Sequence, residues 1–352
     1  MDIQPYLKLV VEKNASDLFL TVGSPVKVKL EGKAQSVGKT VLDSDLCKAA
    51  AYGLMNDHQI QKFEETMECD FAIAMPDNSG RFRVNVFRQR GEVGMVLRRI
   101  PTEIPTLDEL GLPEILKELI MHRRGLILMV GATSSGKSTT LAAMINHRNE
   151  NMAGHILTIE DPVEFSHPNR KSIVNQREVG VDTMSYRNAL KASLREAPDV
   201  ILIGEIRDRE TMEAALELSN TGHLAVSTMH ANNANQAMER VINLFPQGLH
   251  KQLFMDLSLN IRAVISQRLV TGIDGKRCAA IEIMINTPHI SELILRGEID
   301  EIKEAMSESG QKGMQTFDMA LFNLYKEGRI ELEEALNNAD SRTNLEAKIN
   351  FG

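Results

Sequence analysis

Cysteine is scarce in this 352-residue chain: Cys47, Cys69 and Cys278 are odd in number, far apart and in no Cys-x-x-Cys arrangement. That excludes a disulfide framework and a cysteine zinc site, and it fits a reducing, cytoplasmic setting. An excess of positive charge is also missing. Forty Lys and Arg stand against 48 Asp and Glu, a formal charge of -8, so the basic surface that a nucleic-acid backbone demands is not present in bulk, and nucleic acid is not expected as the main ligand. Long hydrophobic runs are absent too. Leu126 to Val130, one of the longest, falls far below the ~20 residues of a membrane span, and no N-terminal charged-then-apolar signal is present. Direct membrane insertion is therefore not expected, and any membrane role should come through a partner. No solenoid-type repeat or low-complexity tract interrupts the chain. Its length implies two or three compact units.

From Ser16 to Ile100 the pattern is mostly strand-like. Val26, Val28 and Leu30 alternate with Lys27 and Lys29, and Phe82, Val84 and Val86 alternate with Arg81, Arg83 and Asn85. A helix is expected around Pro5 to Lys13 and another around Ser44 to Glu65. Pro101 and Pro105 bracket a stiff stretch, and Thr106 with Glu109 makes a capping-box pattern that predicts a new helix, so the domain boundary is placed there. Beyond it, four short apolar runs, Leu126 to Val130, His155 to Ile159, Val200 to Ile203 and Leu224 to Ser227, are separated by helical sequence. Such runs predict a parallel sheet buried on both faces. After Asn235 the sequence reads as largely helical, with breaks near Thr271 to Lys276 and Asn286 to His289.

The first run ends in Gly131-Ala132-Thr133-Ser134-Ser135-Gly136-Lys137-Ser138-Thr139. This is GxxxxGK[ST] between a strand and a helix, the context that gives the pattern meaning. Glycines let backbone N–H groups wrap phosphates, and the helix N-terminus favours their charge. Lys137 is placed to reach the β- and γ-phosphates, and Ser138 to offer a hydroxyl to Mg²⁺. ATP with Mg²⁺ is the expected ligand pair. The motif by itself does not separate hydrolysis from transfer to a substrate.

Ligands of open parallel sheets sit outside the carboxyl ends of the strands, and those ends are polar here: Glu160-Asp161-Pro162-Val163-Glu164, Gly204-Glu205-Ile206-Arg207-Asp208 and Thr228-Met229-His230. Carboxylates there suit a magnesium shell and a polarised water. Glu205 has the place of a Walker B acid, with a helix-start carboxylate as the plainer reading. His223 and His230 flank the fourth run, as structural residues or as polar sensors of the phosphate site. Arg81 and Arg83 share one face of their strand, either as a solvated face or as arginines that close over the triphosphate.

The blocks GATSSGKSTTLAAM, HILTIEDPVEF, NQREVGVDT, LREAPDVILIGEIRDRETM and TGHLAVSTMHANNA resemble, in sequence and order, the signature blocks of the type IV pilus retraction ATPases, the PilT and PilU family of secretion ATPases. The similarity runs from SDLFLTVG at Ser16 to GMQTFDMAL at Gly313 and beyond. It implies an α/β chain: an N-terminal PAS-like α+β domain over residues 1–100, a linker over 101–112, a RecA-like P-loop ATPase core over 113–286 and a C-terminal helical region over 287–352. It further implies a ring of six, with Glu164 as the catalytic base and Glu205 as the Walker B acid that holds Mg²⁺ through water. His223 and His230 then belong to the His box, and Arg81 and Arg83 are brought to the nucleotide. Arg98, Arg99, Arg195 and Arg207 receive no defined role.

PilT-type members carry an AIRNLIRE-like segment where this chain reads Thr287-Pro288-His289-Ile290-Ser291-Glu292-Leu293-Ile294. That spelling, with RGEIDEIKEAM, is more similar to the PilU branch, whose members assist a PilT-type ATPase. The resemblance implies a hexameric ATPase at the cytoplasmic face of the inner membrane, working with the platform protein of the pilus machine to drive or assist retraction. Two further readings remain: a nucleotide-regulated scaffold that supports a PilT-type motor without needing its own hydrolysis, and a ring translocase on nucleic acid, against which the acidic balance argues.

Overall fold

The computed structural model describes residues 1–351 other than 31, 78 and 102. The chain divides into two compact units, Met1–Glu103 with Glu164–Ser166, and Ile104–Val163 with His167–Gly352.

In the first unit, Pro5 lies in the first turn of α1 (Gln4–Glu12), where its missing N–H costs no hydrogen bond, and Leu7 and Val10 turn inward. Strands β1 (Asp17–Leu20), β2 (Pro25–Leu30) and β3 (Lys33–Val41) follow. The helix expected over Ser44 to Glu65 forms as two, α2 (Ser44–Tyr52) and α3 (Asp57–Thr66). Asn56 and Gln59 exchange side-chain-to-backbone bonds of 2.9 Å each, and this capping box starts a second helix instead of continuing the first. Strands β4 (Glu68–Ala74), β5 (Arg81–Gln89) and β6 (Glu92–Ile100) complete an antiparallel sheet in the order β3-β2-β1-β6-β5-β4. One face of β5 buries Phe82, Val84 and Val86 with Leu7, Cys47 and Phe63 of the helices. The period of two therefore sends Arg81, Arg83 and Asn85 to the other face.

At the start of the second unit the Thr106–Glu109 capping box forms, with bonds of 2.8 and 3.2 Å. It closes a single turn that ends at Gly111, whose φ of +62° a side chain would resist. The helix it predicted starts later, as α4 (Ile115–Ile120). Then come β7 (Gly125–Val130), α5 (Lys137–Asn151), β8 (Gly154–Glu160), β9 (Ser172–Glu178), α6 (Tyr186–Ser193), β10 (Val200–Glu205), α7 (Arg209–Asn220), β11 (Leu224–Met229), α8 (Ala234–Asn243) and α9 (His250–Asn260). All six residues of β7 are buried, as the apolar run requires.

The region after Asn235, read as helical, instead contributes two long strands, β12 (Ile261–Thr271) and β13 (Arg277–Ile285). Their apolar residues fill both faces, so no clean alternation marks them, and the break noted at Thr271 to Lys276 is their hairpin turn. The seven-stranded sheet runs β13-β12-β7-β11-β10-β8-β9, parallel except for the hairpin. β12 pairs with β7 as far as Ser266 and Val130, and its remainder extends beyond, paired with β13 alone. Gln267 thus stands beside the loop that leaves β7.

Helices α10 (Pro288–Arg296), α11 (Ile302–Glu308), α12 (Phe317–Lys326), α13 (Leu332–Asn338) and α14 (Arg342–Phe351) close the chain. Arg268 of β12 stacks on the Phe317 ring at 3.9 Å, and Asp340 bridges Arg268 at 2.7 Å and Lys303 at 2.8 Å. Among the described residues no helix is long and apolar enough to cross a membrane.

Candidate active site

The loop from Gly131 to Gly136 leaves β7 and enters α5. Its backbone turns through positive φ at Gly131 (+153°), Ser134 (+63°) and Gly136 (+86°). Both glycines are also sterically required. A Cβ at Gly131 would meet the Gln267 carbonyl oxygen and Ser135 Oγ at 2.5 Å, and one at Gly136 would meet Gln267 Nε2 at 2.7 Å. The Gln267 amide is fixed in turn, its Oε1 accepting from buried Thr140 Oγ1 at 2.7 Å. Lys137 Nζ donates to the carbonyls of Gly131 and Ala132 at 2.7 and 2.8 Å.

The fit to a phosphate chain can be judged from how the helices begin. α6, α7 and α8 are capped by Ser185, Asp208 and Asn233. α5 has no side-chain cap and no acidic residue in its first turn. Its N–H groups and dipole are thereby directed to an external anion, with Lys137 as counter-charge and Ser138 and Thr139 half-buried in the first turn. No group of three or more His, Cys, Asp and Glu able to hold a metal occurs among the described residues.

Two residues singled out separately in the sequence meet at the carboxyl ends of β10 and β11. Glu205 Oε1 is 3.2 Å from His230 Nε2, and Glu205 Oε2 accepts from Arg207 Nε at 2.7 Å. Glu205 is largely buried whereas the Arg207 side chain is mostly exposed, and the carboxylate holds the guanidinium above its ordinary pKa. The turn is set by a β-bulge between Ile203 and Glu205, and Thr228 Oγ1 donates to the Gly204 carbonyl at 2.6 Å. Nearby, Glu160 at the end of β8 accepts from Thr158 Oγ1 at 2.6 Å and Gln176 Nε2 at 3.3 Å.

His223 is placed elsewhere. It precedes β11, so a whole strand, about 20 Å at ~3.3 Å per residue, separates it from His230 along the sheet. Its Nδ1 lies 3.1 Å from the Leu218 carbonyl and 3.1 Å from Thr221 Oγ1, at the end of α7. Within the chain the structure does not bring His223 to the phosphate loop, and its contacts are those of a helix-end cap. Arg195 is exposed after α6.

Glu164, Arg81 and Arg83 belong to the first unit. Arg83 pairs in register with Arg98, and Arg98 Nε donates to buried Asp17 at 2.9 Å. Arg99 Nη1 donates to Asn14.

Gln267 was not found in the sequence. It lies in the segment misread as helix, although Ile261, Val264, Ile265 and Val270 supply the β-branched content that marks a strand.

The family model of the type II/IV secretion system protein matches residues 1–345. A type IV pilus ATPase, PilU of Pseudomonas aeruginosa, is 53% identical over 353 residues, covering all of this chain and 92% of the relative. PilT of the same organism, a type IV pilus ATPase named for retraction, is 43% identical over 96% of this chain and 98% of its own. The crystal structure of the pilus retraction motor PilT with bound ADP superposes with a TM-score of 0.91 at 41% identity, covering 98% of this chain and 99% of that one. The expected α/β architecture, an N-terminal α+β domain, a RecA-like P-loop domain and C-terminal helices, holds. The chain is a nucleotide-binding ATPase associated with type IV pili. It belongs to the type II/IV secretion system protein family, in the PilT/PilU group of pilus ATPases.

Proposed function

We propose that the chain is a Mg²⁺-dependent ATP hydrolase that drives or assists pilus retraction as a homo-hexamer at the cytoplasmic face of the inner membrane. The observation that carries the hydrolytic part is the uncapped start of α5 behind the phosphate loop, with the Glu205–His230 pair at the same edge of the sheet. Residues Gly131 to Thr139 hold the phosphates, and Lys137 neutralises the β- and γ-oxygens. Ser138, and Glu205 through water, hold Mg²⁺, which supplies charge neutralisation at the phosphates when bound. Glu164 is the base toward water, and Arg81 and Arg83 offset the charge that develops on the γ-phosphate. The domain limits read from the sequence, 1–100, 101–112, 113–286 and 287–352, are part of this proposal.

Lys137→Ala tests the chemical core and should abolish nucleotide binding or turnover. Glu164→Gln should keep binding and lose hydrolysis, and full turnover by that variant removes the base assignment. The greater identity to PilU than to PilT, and the Thr287-to-Ile294 spelling, favour a second reading, in which the chain is an accessory to a PilT-type ATPase. Retraction is to be scored in a deletion strain with the PilT-type partner present and absent, complemented by the parent chain or by Lys137→Ala. Rescue by Lys137→Ala only beside an intact partner identifies a scaffold, and failure to rescue identifies a motor.

A further inference from the structure

Residues 161–171 join β8 to β9 as irregular backbone, and Glu164 lies in that stretch. Irregular chain needs outside partners for its buried amides if it is to keep one shape. Here the partners come from a single strand. Val163 N donates to Glu178 Oε2 at 3.1 Å, and His167 N donates to Gln176 Oε1 at 2.8 Å. Val163 and His167 are buried, at 1% and 8% exposure, whereas Glu164 between them is exposed. The segment is thus an arch with two buried feet and a carboxylate standing out from it.

β9 is the outermost strand of its sheet, and Ser172, Val174, Gln176 and Glu178 share one of its faces by the period of two. That face turns inward: Ser172, Val174 and Glu178 are buried, and Ile173 and Asn175 on the other face are exposed. An inward position suits an apolar side chain such as Val174. A carboxylate and an amide in such places are unfavourable unless hydrogen-bonded, and both direct their bonds to the arch. Gln176 Nε2 also donates to Glu160 Oε1 at 3.3 Å, an oxygen that accepts from Thr158 Oγ1 as well. One amide group therefore ties the far foot of the arch to the end of β8.

We propose that Gln176 and Glu178 are positioning residues for Glu164: by holding the amides of His167 and Val163 they set where the Glu164 carboxylate points. Glu164 follows Val163 directly, so its Cα stays ~3.8 Å from that of a held residue. The inference rests on the reading of Glu164 as the base and gives a role to two residues which that reading leaves out. A base must stand within hydrogen-bond reach of the water it deprotonates, and a misplacement of ~1 Å lowers a rate by about 100-fold.

The test is Gln176→Met and Glu178→Met in the full chain, each of which keeps side-chain length and removes the acceptor. The expected result is a kcat for ATP hydrolysis reduced roughly 10- to 100-fold, read well below the melting transition of each variant, with KM for ATP and the affinity for a fluorescent ADP analogue unchanged. Glu178→Gln keeps an acceptor oxygen and should recover most of what Glu178→Met loses. The deciding arm combines Gln176→Met with Glu164→Gln and reads residual hydrolysis in single turnovers at high enzyme concentration. A residue that acts through Glu164 has nothing further to lower, so the double variant should match Glu164→Gln alone. A merely structural bond would lower the melting temperature and add the same loss in both backgrounds. Parental kcat in the Met variants overturns the proposal, as does an equal fold-loss from Gln176→Met in the parent and in Glu164→Gln, or a fall in ADP affinity that parallels kcat. Full turnover by Glu164→Gln is a separate failure, which removes the base reading and this proposal with it; an inactive Glu164→Gln beside a normal Gln176→Met removes the positioning role alone.

Discussion

Nε2 of His230 lies 3.2 Å from one oxygen of Glu205, while the other oxygen of the same carboxylate accepts from Arg207. The acid is thus held between a guanidinium and an imidazole. The imidazole is exposed over 43% of its side chain.

His230→Ala should lower kcat roughly 10- to 100-fold, since a hydrogen bond to a charged group amounts to about 1.5–3 kcal/mol. Nucleotide affinity should change little, because the phosphate loop is braced from β12 and not from this pair. Steady-state kinetics beside ADP binding separates the two quantities. A large rise in Kd with kcat preserved would place His230 in ground-state binding instead.

Gln267 and Thr140 form the brace. Their bond is buried, so Thr140→Val leaves the Gln267 amide oxygen without its partner, at a cost of about 1–3 kcal/mol. The melting temperature should fall and KM for ATP should rise, as the amide no longer supports Gly136. Combining Thr140→Val with Gln267→Leu should cost less than the sum of the single changes, because both ends of one bond are then removed together. Strict additivity in melting temperature would show that the two side chains act separately.

The phosphate loop was legible because its chemistry forces a local pattern: two glycines, a lysine and a hydroxyl between an apolar run and a helix. The four parallel strands were legible for a related reason, since burial on both faces leaves short uninterrupted apolar runs. The same property hid β12 and β13. Their mixed burial carries no period of two, and the neighbouring helices lent them a helical look. Gln267 was lost with them, since its contacts with Gly131, Gly136 and Thr140 span more than a hundred residues of chain and exist only in the folded sheet. The Glu205–His230 contact was hidden differently. Both residues were visible, but only the parallel pairing of β10 and β11 sets their ends side by side.

Glu282 presents a buried carboxylate whose partners are known. It accepts from Ala234 N at 2.8 Å, at the start of α8, and from Ser266 Oγ at 3.2 Å. Burial raises its pKa above the ordinary 4.5 despite both bonds. A raised folded pKa means that its stabilising contribution is complete below the unfolded value and is lost as pH rises through the folded one. Glu282→Gln, which keeps an acceptor and has no charge, should therefore gain stability relative to the parent as pH rises from about 4 to about 8. Denaturant titrations across that range read the difference directly, and a constant offset between the two chains would contradict it.

His167 gives the opposite sign. The residue is only 8% exposed, its Nδ1 has no hydrogen-bond partner among the described residues, and burial pushes its pKa from 6.5 down to about 4. The neutral ring is the folded form, whereas the unfolded chain takes up a proton at about pH 6.5. Stability is therefore present above that pH and is lost progressively as pH falls toward 4. A separation of about 2.5 units at 1.36 kcal/mol each sets the loss at up to roughly 3 kcal/mol. His167→Phe keeps a ring of similar size and cannot be protonated, so it should be less sensitive to acid. Denaturant midpoints for parent and variant near pH 7 and near pH 4.5 should converge or cross as the parent weakens. Parallel loss in both chains would assign the acid sensitivity to other groups.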